Sequence, residues 1–269
     1  DYHARAAAWL TALAAERGTE YLGLTGEHFE RAGAPAKAID YYTRAAESAA
    51  ARDAREAAFD FVARALALAP PGDHATRWRL FAIREPLLAL QEDRAKHFAE
   101  LDLLEAEAEA LNDDGRRAEA LARRADAHSD GGEYQKAETL ARCALPIAER
   151  AGATAIAVRL YGQLAKDVRR MGRFDEARPL AERGLTLARE LGDRAVEAAA
   201  MRSLGSILSE QGDSLAGMEL TRGALAIFRE TGDRVREAET YNSLGDNYMR
   251  IGDYQTAREL FRESLRLAR

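Results

Sequence analysis

The chain has 269 residues, with 39 Lys or Arg against 45 Asp or Glu, which gives a formal net charge of −6 at pH 7. No block of five like charges stands out, so nucleic acid and membrane surfaces are excluded as its main partners. No apolar run is long enough to span a membrane and no charged start precedes an apolar segment, so we expect a reducing compartment, the cytoplasm.

Residues 1–112 are predicted to form six helices, at 1–16, 19–32, 35–51, 53–69, 73–91 and 94–111. We divide this part into residues 1–72, which are irregular and include one helical pair at 19–52, and residues 73–112, which form a divergent repeat. The turn at Pro70-Pro71 is the expected bend or seam. In the divergent repeat, Glu85 and His97 occupy two positions that hold small residues elsewhere.

Turn residues then recur every 40 positions. One series is Gly132, Gly172, Gly212 and Gly252, and the other is Asn112, Gly152, Gly192 and Gly232. A fixed period of this length predicts stacked copies of one supersecondary unit. Apolar residues at three- and four-residue spacing between the turns predict two helices of about 17 residues in each unit. Residues 113–269 therefore make four regular repeats, and the whole chain about fourteen helices.

Two local signals describe how successive helices are joined and packed. Several turn glycines precede an aspartate, as in Gly192-Asp193 and Gly232-Asp233, and we expect this aspartate to cap the next helix. Small residues twelve positions apart predict close crossing of the two helices. These pairs are Gly26 with Ala38, Ala125 with Ala137, Ala165 with Ala177, Gly205 with Gly217, and Gly245 with Ala257.

Signatures of catalysis and metal binding are missing from the sequence. It has no phosphate-binding glycine loop, no His-Glu-x-x-His pair, no Gly-x-Ser-x-Gly elbow and no paired cysteine ligands. The five histidines are widely spaced, and the single cysteine, Cys143, lies in an apolar helical run that predicts a small buried side chain. We therefore expect no enzyme, no cofactor and no metal.

The segment from Tyr241 to Tyr248, with Gly252-Asp253-Tyr254, Ala257, Phe261 and Leu265, resembles a tetratricopeptide repeat. Residues 26–29 with Gly33, Ala38, Tyr42 and Ala45 resemble it near the N-terminus. The chain departs from the family in its 40-residue period instead of 34, in Arg124 at a leucine position, and in the lack of a closing proline. The resemblance implies an all-α fold, a right-handed α-solenoid of about fourteen antiparallel helices.

The long units and Leu-Gly-Asp turns are similar to the C-terminal tetratricopeptide arrays of bacterial multidomain signalling proteins. In those proteins a cyclase or kinase domain and a NACHT-like ATPase come first. The resemblance implies a non-catalytic sensor or regulatory module with upstream ATPase and output domains, and the chain is then an excised piece. The alternative is a scaffold or adaptor that bridges proteins without a switch. Apolar residues of the last helix, such as Leu265, would allow self-association through an uncovered end.

In such arrays the first helix of each hairpin lines the concave side, which places a stripe of side chains in the groove. The hypothesis is that four cations of this stripe bind a carboxylate or acidic segment of a protein or peptide partner, and that Asn242 bonds its backbone beside Asp246. The cations are Arg159, Lys166, Arg169 and Arg202. The alternative is that cations near a helix end complement the helix dipole and that the cluster arises by chance in an Arg-rich chain.

Overall fold

The computed structural model describes residues 2–17, 21–91 and 93–267, and these residues form fourteen α-helices with no strand among them. The all-α fold and the predicted number of helices are confirmed. The chain divides into two compact units, residues 1–116 and 117–269. They are considered separately below.

The first unit contains six helices and the first residues of a seventh. The helices are α1 (Tyr2–Arg17), α2 (Leu22–Arg31), α3 (Pro35–Ala51), α4 (Arg55–Leu68), α5 (His74–Ala89) and α6 (Arg94–Ala110). Each helix packs against the next, and α4 and α5, which flank the Pro70-Pro71 turn, are in contact. Tyr42, Val62 and Leu80 are fully buried in the core. Helix α4 begins two residues later than predicted because Asp53 adopts a left-handed φ of 56° in the preceding turn.

Two buried carboxylates of the divergent repeat have partners on the facing helix. Glu85 and His97 share a hydrogen bond of 2.6 Å, so these two residues replace the small pair of the regular repeats with a polar contact. Glu100 receives two bonds from the Arg84 guanidinium, at 2.9 and 2.8 Å. A buried carboxylate left unpaired would be costly, so these bonds allow α5 and α6 to pack despite their polar interface.

The second unit contains the remaining helices in four hairpins. They are α7 (Asp114–Asp130), α8 (Tyr134–Arg150), α9 (Thr154–Arg170), α10 (Phe174–Leu191), α11 (Arg194–Glu210), α12 (Ser214–Thr231), α13 (Arg234–Arg250) and α14 (Tyr254–Leu267). Partners within a hairpin pack on each other in the α9–α10, α11–α12 and α13–α14 pairs, and the first helices α9, α11 and α13 also contact in sequence. Alanines and residues such as Leu160, Leu164 and Ile207 form its main core.

Both series of turn residues adopt the left-handed conformation that ends a helix. Gly132, Gly172, Gly212 and Gly252 have φ between 75° and 96°, and Asn112 in the second series has φ of 49°. Glycine reaches this region without a steric penalty, and asparagine tolerates it better than most residues. The regular period of the sequence is therefore a period of helix ends.

The aspartates after the turn glycines cap the next helices as predicted. Asp193 accepts from the backbone N–H of Ala195 and Val196, at 2.9 and 3.1 Å. Asp233 accepts from the Arg236 N–H at 3.1 Å. Each bond satisfies an amide that has no partner inside its own helix.

All ten residues of the predicted small pairs are buried. A glycine in the first helix makes room for a larger residue sixteen positions later: a Cβ on Gly26 would collide with the Tyr42 ring, and one on Gly245 would collide with the Phe261 ring. Where the first helix carries an alanine, as at Ala165, the residue sixteen positions on is also alanine. The small residues thus set the distance between the two helices of a hairpin.

Replacing Ala257 with leucine is expected to destabilise the second unit by about 1–3 kcal/mol, because overpacking forces neighbouring side chains out of their preferred rotamers. Ala257 is 1% exposed and lies where α14 packs on α13. Thermal unfolding followed by circular dichroism measures the effect. Substitution of the exposed Arg258 by leucine is the control, and an unchanged midpoint in Ala257→Leu would contradict the predicted close crossing.

The prediction that Cys143 is buried is wrong. Its side chain is exposed, because the buried stripe of α8 consists of Ala137, Ala141, Ala144 and Ala148. Cys143 precedes Ala144 by one residue, which rotates its side chain by about 100° around the helix from that of Ala144. None of the helices in the described residues is long and apolar enough to cross a membrane.

Candidate functional site

A cavity of about 530 Å³ lies in the second unit and is lined by the first helices α9 and α11. The intervening helix α10 contributes Ala181 and Gly184, and the first helices contribute apolar residues that include Val158 and Val196. Five cationic side chains also line it: Arg159, Lys166, Arg169, Arg202 and Arg236. The cavity therefore combines small apolar surfaces with a strongly positive lining.

Helical spacing explains how these side chains come together. Arg159, Lys166 and Arg169 follow one another on α9 at intervals of seven and three residues, which keeps them on one face. Arg202 occupies the corresponding face of α11. The four cations predicted from the sequence all line this one cavity.

Three of the five cations already have carboxylate partners. Arg169 contacts Glu210 at 2.5 Å, Arg202 contacts Glu239 at 2.9 Å, and Arg236 contacts Asp233 at 3.1 Å. A ligand would have to compete with these carboxylates for the same guanidinium groups.

Arg159 and Lys166 differ from the other three cations. Arg159 is exposed and Lys166 is half-buried, and within the part of the chain that the structure describes, neither forms a hydrogen bond or an ion pair. Both can therefore bind an incoming anion without breaking an existing contact.

Acidic groups on the neighbouring helices modify the field at these two cations. Burial raises the pKa of Asp126 on α7 to about 6, although the positive charges of Arg159 and Lys166 act in the opposite direction. Burial also raises the pKa of Asp167, which accepts hydrogen bonds from Ser129 at 2.5 Å and from Gln163 at 3.0 Å. Part of this negative charge is therefore lost as the pH approaches 6.

The other two predicted site residues lie elsewhere. Asn242 and Asp246 are exposed on α13 and are not among the residues lining the cavity. The structure adds Arg236, which sequence reasoning missed. Its equivalent in the preceding repeat, Val196, also lines the cavity, so extending the predicted stripe by one turn toward the N-terminus would have found both.

Among the residues that the structure describes, no group of three or more His, Cys, Asp or Glu is placed to hold a metal ion. The site consists of donors and small apolar side chains, which can recognise an anion and an adjoining apolar group.

The geometry defines the class of the protein as a helical-repeat protein with a cationic cavity between the first helices α9 and α11. Residues 156–216 and 219–269 match the family model of the tetratricopeptide repeat. These residues are therefore a tetratricopeptide repeat array. A comparison with curated protein sequences gives no significant match.

Several solved structures share this fold. A Rap protein complexed with Competence and Sporulation Factor has a TM-score of 0.72 at 16% identity, over 99% of this chain and 76% of that chain. The apo form of the quorum sensor NprR from B. thuringiensis has a TM-score of 0.71 at 14% identity, over 94% and 71%. At these identities the likeness concerns the fold alone.

A third similar structure is a Signal Transduction ATPase with Numerous Domains from Pyrococcus horikoshii, which has a tetratricopeptide repeat sensor. Its TM-score is 0.63 at 15% identity. The match covers 94% of this chain but only 42% of that chain, so the chain corresponds in length to less than half of the ATPase.

Proposed function

We propose that this chain is a non-catalytic tetratricopeptide module that binds an acidic peptide segment of a partner in the α9–α11 cavity. The observation that carries the proposal is that Arg159 and Lys166, which form no hydrogen bond or ion pair among the described residues, line a cavity large enough for a ligand. Oriented cations next to low-dielectric surfaces bind carboxylates more strongly than cations on an open surface. Arg169 and Arg202 extend the positive lining. In this proposal Asn242, which is exposed on α13, contacts a longer ligand.

The proposal includes a place in a larger bacterial signalling protein of the cytoplasm, in which the array senses a partner and controls upstream ATPase and output domains. The P. horikoshii protein supports it, because it is described as a signal transduction ATPase with a tetratricopeptide repeat sensor. The Rap protein was solved with Competence and Sporulation Factor, and NprR is a quorum sensor. Arrays of this fold thus occur in proteins that respond to signals.

The alternative function is a scaffold that bridges proteins without a switch. Exposed apolar side chains at the last hairpin favour it, since Tyr254 is 68% exposed and Leu265 is 63% exposed. Such side chains promote association with another protein or with a second copy of the chain. Sedimentation of the purified chain with Leu265→Glu separates these cases, because a scaffold contact or self-association through α14 would weaken while binding in the cavity would not.

A double charge reversal, Arg159→Glu with Lys166→Glu, is expected to weaken binding of an acidic peptide at least tenfold. The substitution removes two attractive charges and places two carboxylates in the lining of the cavity. The ligand is obtained by selecting a phage-displayed library of random heptapeptides on the unmodified chain. Fluorescence anisotropy of the labelled peptide then measures the dissociation constant.

The matched control is Arg258→Glu with Arg262→Glu, which changes the net charge equally at two exposed positions of α14. This control is expected to bind the peptide within about twofold of the unmodified chain, because rim and remote charges act mainly through long-range steering. Equal losses in both variants, or no loss in the cavity variant, would refute the proposed site.

A further inference from the structure

Gly162 lines the cavity and has no packing reason to be glycine. The remaining glycines inside the described helices of the second unit are held there by contacts: an added Cβ would lie within 3.2 Å of a neighbouring atom at each of them. They are Gly184, Gly205, Gly217, Gly223 and Gly245. A Cβ on Gly162 would meet nothing within 4 Å, and its φ is not in the left-handed region. Since glycine disfavours a helix interior, neither local structure nor packing explains this residue.

The repeat shows what Gly162 leaves out. Its equivalents in the preceding and following repeats are Ala122 and Arg202, and the next is Asn242. Arg202 and Asn242 carry polar side chains at the same position of their helices, whereas Gly162 has no side chain. The missing side chain leaves open space in the cavity that Ala181 and Gly184 of α10 also line.

We infer that the absence of a side chain at Gly162 keeps open a receptacle, the part of the cavity beside Gly162. This receptacle binds an apolar side chain of the ligand that lies next to the carboxylate of the ligand. This inference rests on the proposed function and specifies the ligand. Val158, Val196, Ala181 and Ala199 give the receptacle an apolar lining, and a volume of about 530 Å³ falls within the range of roughly 300–1,000 Å³ of small-molecule sites. It therefore has room for an apolar side chain and the adjoining backbone.

The spacing of Arg159, Gly162 and Lys166 on α9 indicates how far apart the acidic and apolar groups of the ligand lie. Gly162 lies three residues after Arg159 and four before Lys166, so all three lie on one face of α9. Neighbours at this spacing are about 5–6 Å apart at their Cβ positions, similar to the roughly 7 Å between residues i and i+2, which share one face of an extended peptide. The partner is thus a peptide segment in which an acidic residue lies within two positions of a medium-sized apolar residue.

Heptapeptides selected from the phage-displayed library are expected to share this acidic and apolar pair. The variant Gly162→Leu fills the receptacle and is expected to weaken binding of a selected peptide at least tenfold. Changing the apolar residue of the peptide to alanine should weaken its binding to the unmodified chain to a similar extent. The two changes together should cost little more than either alone, because both remove the same contact.

Gly162→Ala is the variant that tests folding. Because its Cβ meets nothing, it should raise the thermal midpoint by about 2–4 °C through its better helix propensity. Gly162→Ala should weaken binding of the selected peptide by less than about threefold, since a methyl group occupies little of the cavity.

Different experimental results would refute the proposed receptacle and the proposed acidic-peptide site. Additive losses for Gly162→Leu and the alanine peptide, or undiminished binding to Gly162→Leu, would overturn the receptacle. If Arg159→Glu with Lys166→Glu still weakens the peptide, the acidic site stands without it. Failure of the library to yield an enriched acidic and apolar pair would also overturn the inference, and peptides insensitive to both sets of variants would overturn the proposed function as well.

Discussion

Replacing Gly217 with alanine is expected to lower the free energy of unfolding of the second unit by about 3 kcal/mol, although alanine is the better helix former. Gly217 of α12 lies against Gly205 of α11, its small partner twelve residues earlier. An added Cβ would be 2.5 Å from the Gly205 carbonyl oxygen, 3.0 Å from the Ser209 backbone nitrogen, and would overlap Ser209 Oγ. Two of these atoms belong to the backbone, so the helices themselves would have to separate.

Urea unfolding followed by circular dichroism measures this loss, and hydrogen exchange shows whether it is concentrated in α11 and α12, since each repeat contacts only its neighbours. Gly162→Ala is the matched control: it is the same substitution inside a helix of the same unit, but with open space around the new methyl group. The two variants should change stability in opposite directions. A stable Gly217→Ala protein would show that the two helices can shift apart at little cost.

Replacing Asp126 with asparagine is expected to stabilise the protein at pH 8 by about 2 kcal/mol, and to have almost no effect at pH 4. Burial raises the pKa of Asp126 to about 6, above its ordinary value of 3.8. A carboxyl whose pKa is raised by folding costs stability when it is ionised, by about 1.4 kcal/mol for each pKa unit, and partial exposure reduces the total. The cost is complete above pH 6, decreases as the pH falls from 6 towards the unfolded-state pKa, and is absent below that pKa.

Thermal midpoints of both proteins between pH 4 and pH 8 test this prediction. The charged groups around Asp126 are Arg159 and Lys166, which favour its ionised form, and Asp130 and Asp167, which oppose it. Asp167 is present in both proteins, so the difference between them reports the ionisation of Asp126 together with its coupling to Asp167. A constant difference across the range would mean that Asp126 titrates near its ordinary pKa in the folded chain.

The lining of the cavity was predictable in part. The stripe of first-helix residues can be deduced by adding 40 to each position, and in this way Arg159, Lys166, Arg169 and Arg202 were assigned to one surface. The same procedure treats all four as equivalent. Adding 40 also assigns Asn242 and Asp246 to the stripe, because a repeating pattern does not show where a binding site ends. The cavity in the structure is limited to the residues that line it, and these two are not among them.

The sequence by itself determined the helices, their ends and the pairing of neighbours. These features depend on residues of two successive helices: a turn glycine with its capping aspartate, or small residues twelve positions apart. Only the tertiary structure decided which cations remain available. Arg169 meets Glu210 and Arg202 meets Glu239, each in the following repeat, and the pKa of Asp126 depends on charges of another hairpin. Such contacts form between side chains of successive repeats, where burial and distance, rather than spacing along the chain, set the interaction energy.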